Sequence, residues 1–263
     1  MIKLNLSIID IVKQTILHNQ ILAKFYSNTF PNSKYSLDLI LSEIIYVLKT
    51  GISWRNLRSQ INPNSLYWHF NRLVKNNIFR DSFIYLRNKY SELNKTDIQI
   101  IDSTFIINKF GKNNISRNKF FKNKNCNKIS LVTDLSGIPL SILFDSGNVH
   151  DLTFVHNHMD DLVVLSKKNK HSILLADKGY VSKNLRLQLK NEFNYSLMYP
   201  AKKNMKTLPN YDAKLYKKRI IIEHTNRRLK LFRRIDSRYD SDINTFSNFV
   251  FLAASIIIVD SGI

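Results

Sequence analysis

The apolar positions of this chain change period once, near residue 97. Before that point they recur with helical spacing. Leu37, Ile40, Leu41, Ile44, Ile45 and Leu48 follow i, i+3, i+4, which predicts a helix with one buried face. Ser36 stands where a start cap is expected, and Gly51 lies just past the end. A link over 52–64 carries Pro63. A second periodic stretch puts Leu66, Phe70, Leu73 and Val74 on one face and Tyr67, Asn71, Arg72 and Lys75 on the other. Two helices with a short connection, the second basic and aromatic on its open face, suggest a helix-turn-helix type of DNA reader. A plain helical bundle would show the same pattern.

Beyond residue 97 the period shortens. Asp97 to Ile107 is β-branched and apolar, as a buried strand requires. Residues 111–128 are basic and Asn-rich and predict an exposed loop. Ile129–Asp134 and Pro139–Phe144 predict two strands joined by a turn at Ser136 and Gly137. A helix over 151–165, a strand over 171–176, a helix over 182–190 and a strand over 195–199 follow. Residues 200–212 predict a loop, 213–234 one long helix, and 243–259 a final helix. The expected organisation is an N-terminal helical, helix-turn-helix-like domain over 1–95 and a mixed α/β domain over 96–263.

Charge narrows the partner. Lys and Arg number 40 against 20 Asp and Glu, a formal charge of +20. Such an excess repels itself in a compact fold, so a polyanionic partner is expected, and double-stranded DNA is the natural one. An AT-rich genome would also enrich Lys, Asn and Ile, but it does not explain why acids are scarce. The single cysteine, Cys126, allows no intramolecular disulfide and no cysteine zinc cluster. No segment reads as a signal peptide. The most apolar run, Phe249 to Val259, is well short of the roughly 20 residues a membrane span needs and predicts a buried helix, so no membrane is expected.

Because acids are scarce, each can be weighed. Asp102 lies inside an apolar strand, where a lone carboxylate is costly unless something pairs with it. Asp177 ends the apolar run Ile173 to Ala176, and sites collect at the carboxyl ends of strands in α/β sheets. Two such carboxylates can form a hard oxygen site suited to Mg²⁺. Glu223 is the third candidate. Tyr216, Arg219, Glu223 and Lys230 fall on one side of a continuous helix at 3.6 residues per turn. That stripe would suit a helix covering an anionic substrate and a metal. An Arg219–Glu223 pair at i, i+4 on a solvated face explains the same spacing. Cutting DNA at phosphorus needs an activated hydroxyl and a stabilised leaving oxygen, which two metals held by carboxylates can supply.

At these residues the chain resembles the DDE transposases of bacterial insertion sequences, in the superfamily of the fourth and fifth insertion-sequence families. Ile100 to Thr104 resembles the first-Asp strand, and Leu175 to Tyr180 the second-Asp motif. Tyr216, Arg219, Glu223 and Lys230 match the Y-R-E-K signature at every spacing. Lys128 to Leu140, Gly147 to Asp151 and Thr50 to Leu57 also look like family segments. The resemblance implies an RNase H-like catalytic core with a mixed sheet flanked by helices. It implies Mg²⁺ or Mn²⁺ held by Asp102, Asp177 and Glu223, and terminal inverted repeats cut and joined to a target. Tyr216, Arg219 and Lys230 would contact DNA near the cut, with Arg227 as a further contact. Tyr67, Asn71, Arg72 and Lys75 would serve the N-terminal reader. A homo-oligomer on DNA is expected because two ends must meet, and the place of work is the cytoplasm, on the nucleoid, or the nucleus of a eukaryotic host. The alternative is a domesticated or inactive relative that only binds DNA.

Other residues carry less. His150, His156 and His158 cluster near Asp151 without the partners of a zinc site. Asp134 precedes the Ser136-Gly137 turn and suits a turn-forming role. Trp54 and Trp68 are expected in the core. The lysines and arginine of 109–128 suit phosphate contacts or simple solvation.

Overall fold

The computed structural model of this chain describes residues 7–27, 34–94, 96–119, 122–163, 165, 171–200 and 212–262. The chain divides into two compact units. One comprises Met1–Arg87, Lys109–Asn113 and Leu229–Ile263, and the other Asn88–Asn108 and Asn114–Arg228. The C-terminal stretch thus groups with the N-terminal helices, where the sequence pattern put it with the strands.

In the first unit, local chemistry sets where each helix starts and stops. Helix α1 (Ile8–His18) opens with a capping box in which Ser7 and Asp10 satisfy each other's backbone N–H groups. The side chain of Asn19 accepts from Ile21 and Leu22 to start α2 (Gln20–Phe25). Helix α3 (Leu37–Thr50) has Ser36 accepting from the Leu39 amide and Gly51 closing it at φ 68°, a left-handed conformation that suits glycine. Helix α4 (Pro63–Lys75) begins on Pro63, whose missing N–H costs nothing at the first helical position. Helix α5 (Ile78–Leu93) follows. Helices α3 and α4 are the two periodic stretches expected from the sequence, with the second starting at Pro63 inside the expected link.

The core of this unit is aromatic. Helix α11 (Ile243–Asp260) is buried from Thr245 to Ile258. It is long and apolar enough to cross a membrane, but 72% of it is buried inside the protein, as a core helix is. Phe249 stacks on Phe70 at 4.4 Å between ring centroids and on Trp54 at 6.1 Å, and Phe251 meets Phe83 at 5.6 Å. Trp54, expected in the core, is half-buried against it. Trp68 is not in the core: 49% of it is exposed. It lies on the open face of α4, beside Tyr67, because the buried stripe of that helix is filled by Leu66, Phe70 and Leu73.

The second unit is built on a mixed sheet. Its strands are β1 (Ile98–Asn108), β2 (Ser116–Asn118), β3 (Lys124–Asp134), β4 (Pro139–Ser146), β5 (Ser172–Leu175) and β6 (Tyr195–Met198). Strand β3 pairs antiparallel with β1, β2 and β4, and β1, β5 and β6 run parallel. Helices α6 (Leu152–Val163) and α7 (Lys183–Phe193) complete the alternation. The basic loop expected over 111–128 holds β2 and the first half of β3. Its Lys and Asn residues hide the strand from any apolar pattern, yet Asn127 and Lys128 are buried by polar partners. Residues 201–211 of the expected 200–212 loop lie outside the described residues.

The long helix expected over 213–234 is three helices. They are α8 (Ala213–Lys217), α9 (Ile220–Leu231) and α10 (Arg233–Asp236). Across Lys218 and Arg219 the backbone tightens to i→i+3 hydrogen bonds, from Arg219 to Tyr216 and from Ile222 to Arg219. Tyr216 and Glu223 therefore do not share one uninterrupted helical face. A two-residue strand, β7 (Ser237–Arg238), follows α10.

Candidate active site

Strand register carries Asp102 and Asp177 past the same paired position. Ile100 of β1 pairs with Leu175, the last residue of β5; Asp102 lies two residues further along β1, and Asp177 two residues past the end of β5. Asp177 then turns the chain. Its carboxylate accepts from the Gly179 N–H at 2.6 Å, closing a 3-10 turn over Lys178–Tyr180. A side chain at Gly179 would put Cβ 2.9 Å from that same carboxylate oxygen, so the close approach suits glycine. The turn ends on Tyr180, which is buried, with its hydroxyl 3.4 Å from Ser103 Oγ. The neighbour of Asp102 is thus tied to the turn that carries Asp177.

Glu223 arrives on α9, which is docked by a separate route. Asp134 at the end of β3 accepts from the N–H groups of Ser136 and Ile138, and from the Tyr90 hydroxyl at 2.5 Å. It has the turn-forming role expected of it. That turn sets Gly137 at φ 77°, and the Gly137 carbonyl accepts from Thr225 Oγ1 of α9 at 2.9 Å.

Arg219 joins the pieces. Its Nη2 donates to Glu223 Oε1 at 2.8 Å, and its Nη1 lies 3.9 Å from Asp102 Oδ2. The side chains of Arg219, Asp102 and Glu223 are 22%, 23% and 37% exposed, so the cluster opens to solvent without being fully wet. Burial pushes the Asp102 carboxyl up to about 6. Arg219 and the Ser103 N–H oppose that rise, whereas Asp177 and Asp151 add to it. Tyr180 is pushed up chiefly by burial, and Asp151, Asp102 and Asp177 each contribute.

Two members of this cluster carry no role in the sequence argument. Asp151 opens the loop into α6 and pairs with Lys128 Nζ at 2.9 Å. Tyr180 sits at the end of the second-Asp motif. A signal for both was present, since Gly147 to Asp151 and Leu175 to Tyr180 stand out as segments, but spacing alone did not give their contacts.

The carboxylate chemistry suits a hard divalent cation. The arrangement does not yet supply it: among the described residues no three His, Cys, Asp or Glu side chains converge closely enough to hold a metal. Glu223 faces the Arg219 guanidinium instead. The histidines are placed otherwise. His158 is fully buried between Ser141 and Ser130, and His156 lies 3.7 Å from Asp160 on the surface of α6.

Similarity to known proteins identifies the family. A family described as "Transposase DDE domain" matches residues 93–258. The chain belongs to that family. A protein of Brucella ovis, ascribed as transposase to insertion sequence element IS6501, is 28% identical over 130 residues, covering 49% of this chain and 95% of its own length. Among solved structures, the piggyBac transposase in a synaptic complex with hairpin DNA aligns with a TM-score of 0.54 at 9% identity, over 98% of this chain and 73% of that one. At that identity the likeness is one of fold. This DDE transposase has the mixed α/β architecture of an RNase H-like core.

The remaining candidates fall on α4, α8 and α9. Tyr216 is half-buried on α8, and Arg227 is exposed on α9. Lys230 falls in the first compact unit, half-buried, with its ammonium pushed down by burial and raised by Asp236. On α4, Tyr67 and Lys75 are exposed, and Asn71 is half-buried. Arg72 is turned inward: its guanidinium lies 3.9 Å from the Phe25 ring centroid and 5.2 Å from that of Trp68.

Proposed function

We propose that this DDE transposase binds the terminal inverted repeats of its own element as double-stranded DNA and cuts and joins the strands at Asp102, Asp177 and Glu223. The observation that carries this reading is that Asp102 on β1 and Asp177 just past the end of β5 each follow the paired residues Ile100 and Leu175 by two positions, with Glu223 joined to Asp102 through Arg219. Mg²⁺ or Mn²⁺ at these carboxylates would activate the attacking hydroxyl and stabilise the leaving oxygen. Asp102 is suited to a cation by its cost: a carboxyl pushed up to about 6 gains from any positive charge placed beside it.

The helical unit is assigned to DNA binding through α4, and the sheet unit to catalysis. Arg219, Arg227, Tyr216 and Lys230 serve as DNA contacts, and the working form is a homo-oligomer that pairs two ends in the cytoplasm. The formal charge of +20 favours such a partner.

The decisive experiment is cleavage of a labelled duplex carrying the sequences that flank the gene, with Mg²⁺ or Mn²⁺, by the wild type and by Asp177→Ala. Metal-dependent nicking at the element boundary, absent in the variant, is the expected result. Tight binding of the ends without cleavage by either protein would leave a DNA-binding protein that has lost catalysis.

A further inference from the structure

Among the described residues the three carboxylates do not gather as a metal cluster, and one side chain stands against two of them. Arg219 supplies positive charge beside two of the proposed ligands, bound to Glu223 at 2.8 Å and within 3.9 Å of Asp102. It leads α9 from a tightened turn, so its guanidinium and the Glu223 carboxylate are neighbours by chain geometry.

We infer that Arg219 is a resident counter-cation of this site, which keeps Glu223 engaged until DNA offers the guanidinium a phosphate, so that metal loading depends on DNA. This rests on the proposed catalytic reading and adds its regulation. A guanidinium and a divalent cation compete for the same carboxylate oxygens, and whichever binds first disfavours the other. A DNA phosphate offers Arg219 a bidentate partner of equal charge. Moving to it would release Glu223 toward Asp102 and Asp177. Linkage requires reciprocity: if DNA tightens metal binding, metal tightens DNA binding by the same factor. Arg219 is here a positioning residue, acting through Glu223.

The test reads metal affinity rather than turnover. Binding of Mn²⁺ would be followed by the loss of its free-ion electron paramagnetic resonance signal, with and without a duplex carrying the element ends, after subtraction of Mn²⁺ held by the duplex alone. In the wild type the duplex should tighten Mn²⁺ binding by roughly tenfold or more, a coupling of ordinary allosteric size. Arg219→Gln should bind Mn²⁺ more tightly than the wild type without DNA, and the duplex should add little. Arg186→Gln, which removes one exposed charge from α7, controls for net charge and should behave as wild type. Arg219→Lys keeps the charge but cannot make the two-pronged contact. It should show a weakened DNA dependence, and it serves where Arg219→Gln does not fold.

Equal tightening by DNA in wild type and both Arg219 variants would overturn the inference. So would Arg219→Gln binding Mn²⁺ no more tightly than Arg186→Gln does. The catalytic reading fails by a different sign: Mn²⁺ binding that Asp177→Asn leaves unchanged, with or without DNA.

Discussion

Lys128 Nζ donates to Asp151 Oδ1 at 2.9 Å and to the Val149 carbonyl at 2.5 Å, from a side chain that is only 4% exposed. A buried ammonium needs such partners, because leaving it uncompensated costs far more than the pair itself gains. The bond also fixes the loop between β4 and α6, and so places Asp151 within electrostatic reach of Asp102. Asp151→Ala should therefore lower unfolding free energy by about 2–3 kcal/mol in a urea titration. Lys128→Met, which removes charge and keeps length, should cost less. Equal stability of Asp151→Ala and wild type would show that the pair does not hold this loop.

His158 gives the fold an acid-sensitive point. Ser141 Oγ donates to Asp161 Oδ2 at 2.6 Å, so the same hydroxyl must accept from His158 Nδ1, and Nε2 then accepts from Ser130 Oγ. The network is complete with a neutral ring. Burial holds the imidazole down to about 3, and the Asp161 charge only partly opposes this. The unfolded chain takes up a proton near pH 6.5 and the folded one near 3, so stability is intact above about 6.5 and falls as pH drops through that window. The stability gap between wild type and His158→Asn should narrow by about 2.5 kcal/mol from pH 7 to 4.5. Parallel stability curves for the two proteins would exclude His158 as the cause.

What the sequence disclosed follows from which interactions are local. Ser36 and Gly51 bound α3 from neighbouring residues, and Asp134 makes its turn within four residues, so both are readable along the chain. Asp102 and Asp177 stand out as candidates because a carboxylate in or at the end of an apolar run is anomalous whatever surrounds it. The basic strand segment before Ile129 was not, because Lys128 is paid for by Asp151, a partner 23 residues away. The break at Lys218 and Arg219 was also hidden: helical spacing of Tyr216, Arg219 and Glu223 survives a single tightened turn, so period alone does not reveal it. Trp68 shows the limit of residue-type arguments, since its helix already buries a full apolar stripe without it.

On α4 the proposed DNA contacts divide by geometry. Lys75 is exposed, whereas Arg72 stacks on Phe25, so the two should respond differently to substitution. Lys75→Ala should weaken binding to all duplexes and reduce the slope of log affinity against log salt by about 0.9. Arg72→Ala should cost fold stability through lost cation–π packing, about 1 kcal/mol by thermal melting. Fluorescence anisotropy across a salt series measures the first effect. A slope unchanged in Lys75→Ala would remove this face of α4 from the DNA interface.

Gly137 links the β3–β4 turn to the helix that carries Glu223. At φ 77° it occupies a conformation that costs an L-residue roughly 1–2 kcal/mol. A Cβ there would also stand 2.9 Å from Thr225 Oγ1 and 3.3 Å from Ile221 Cγ2, so either Thr225 turns off the Gly137 carbonyl or α9 shifts to admit it, and both loosen the docking of α9. Gly137→Ala should therefore lose about 2–3 kcal/mol of stability. Strand cleavage should fall further than the folded fraction does, because the loosened helix bears Glu223. Thr225→Val removes the hydroxyl that reaches the Gly137 carbonyl at 2.9 Å and the Ile221 carbonyl at 3.2 Å, and should cost about 1 kcal/mol, with a smaller effect on cleavage. Assays well below both melting temperatures separate the two effects. Wild-type cleavage by a folded Gly137→Ala protein would mean that the position of α9 is not critical, and with it the assignment of Glu223.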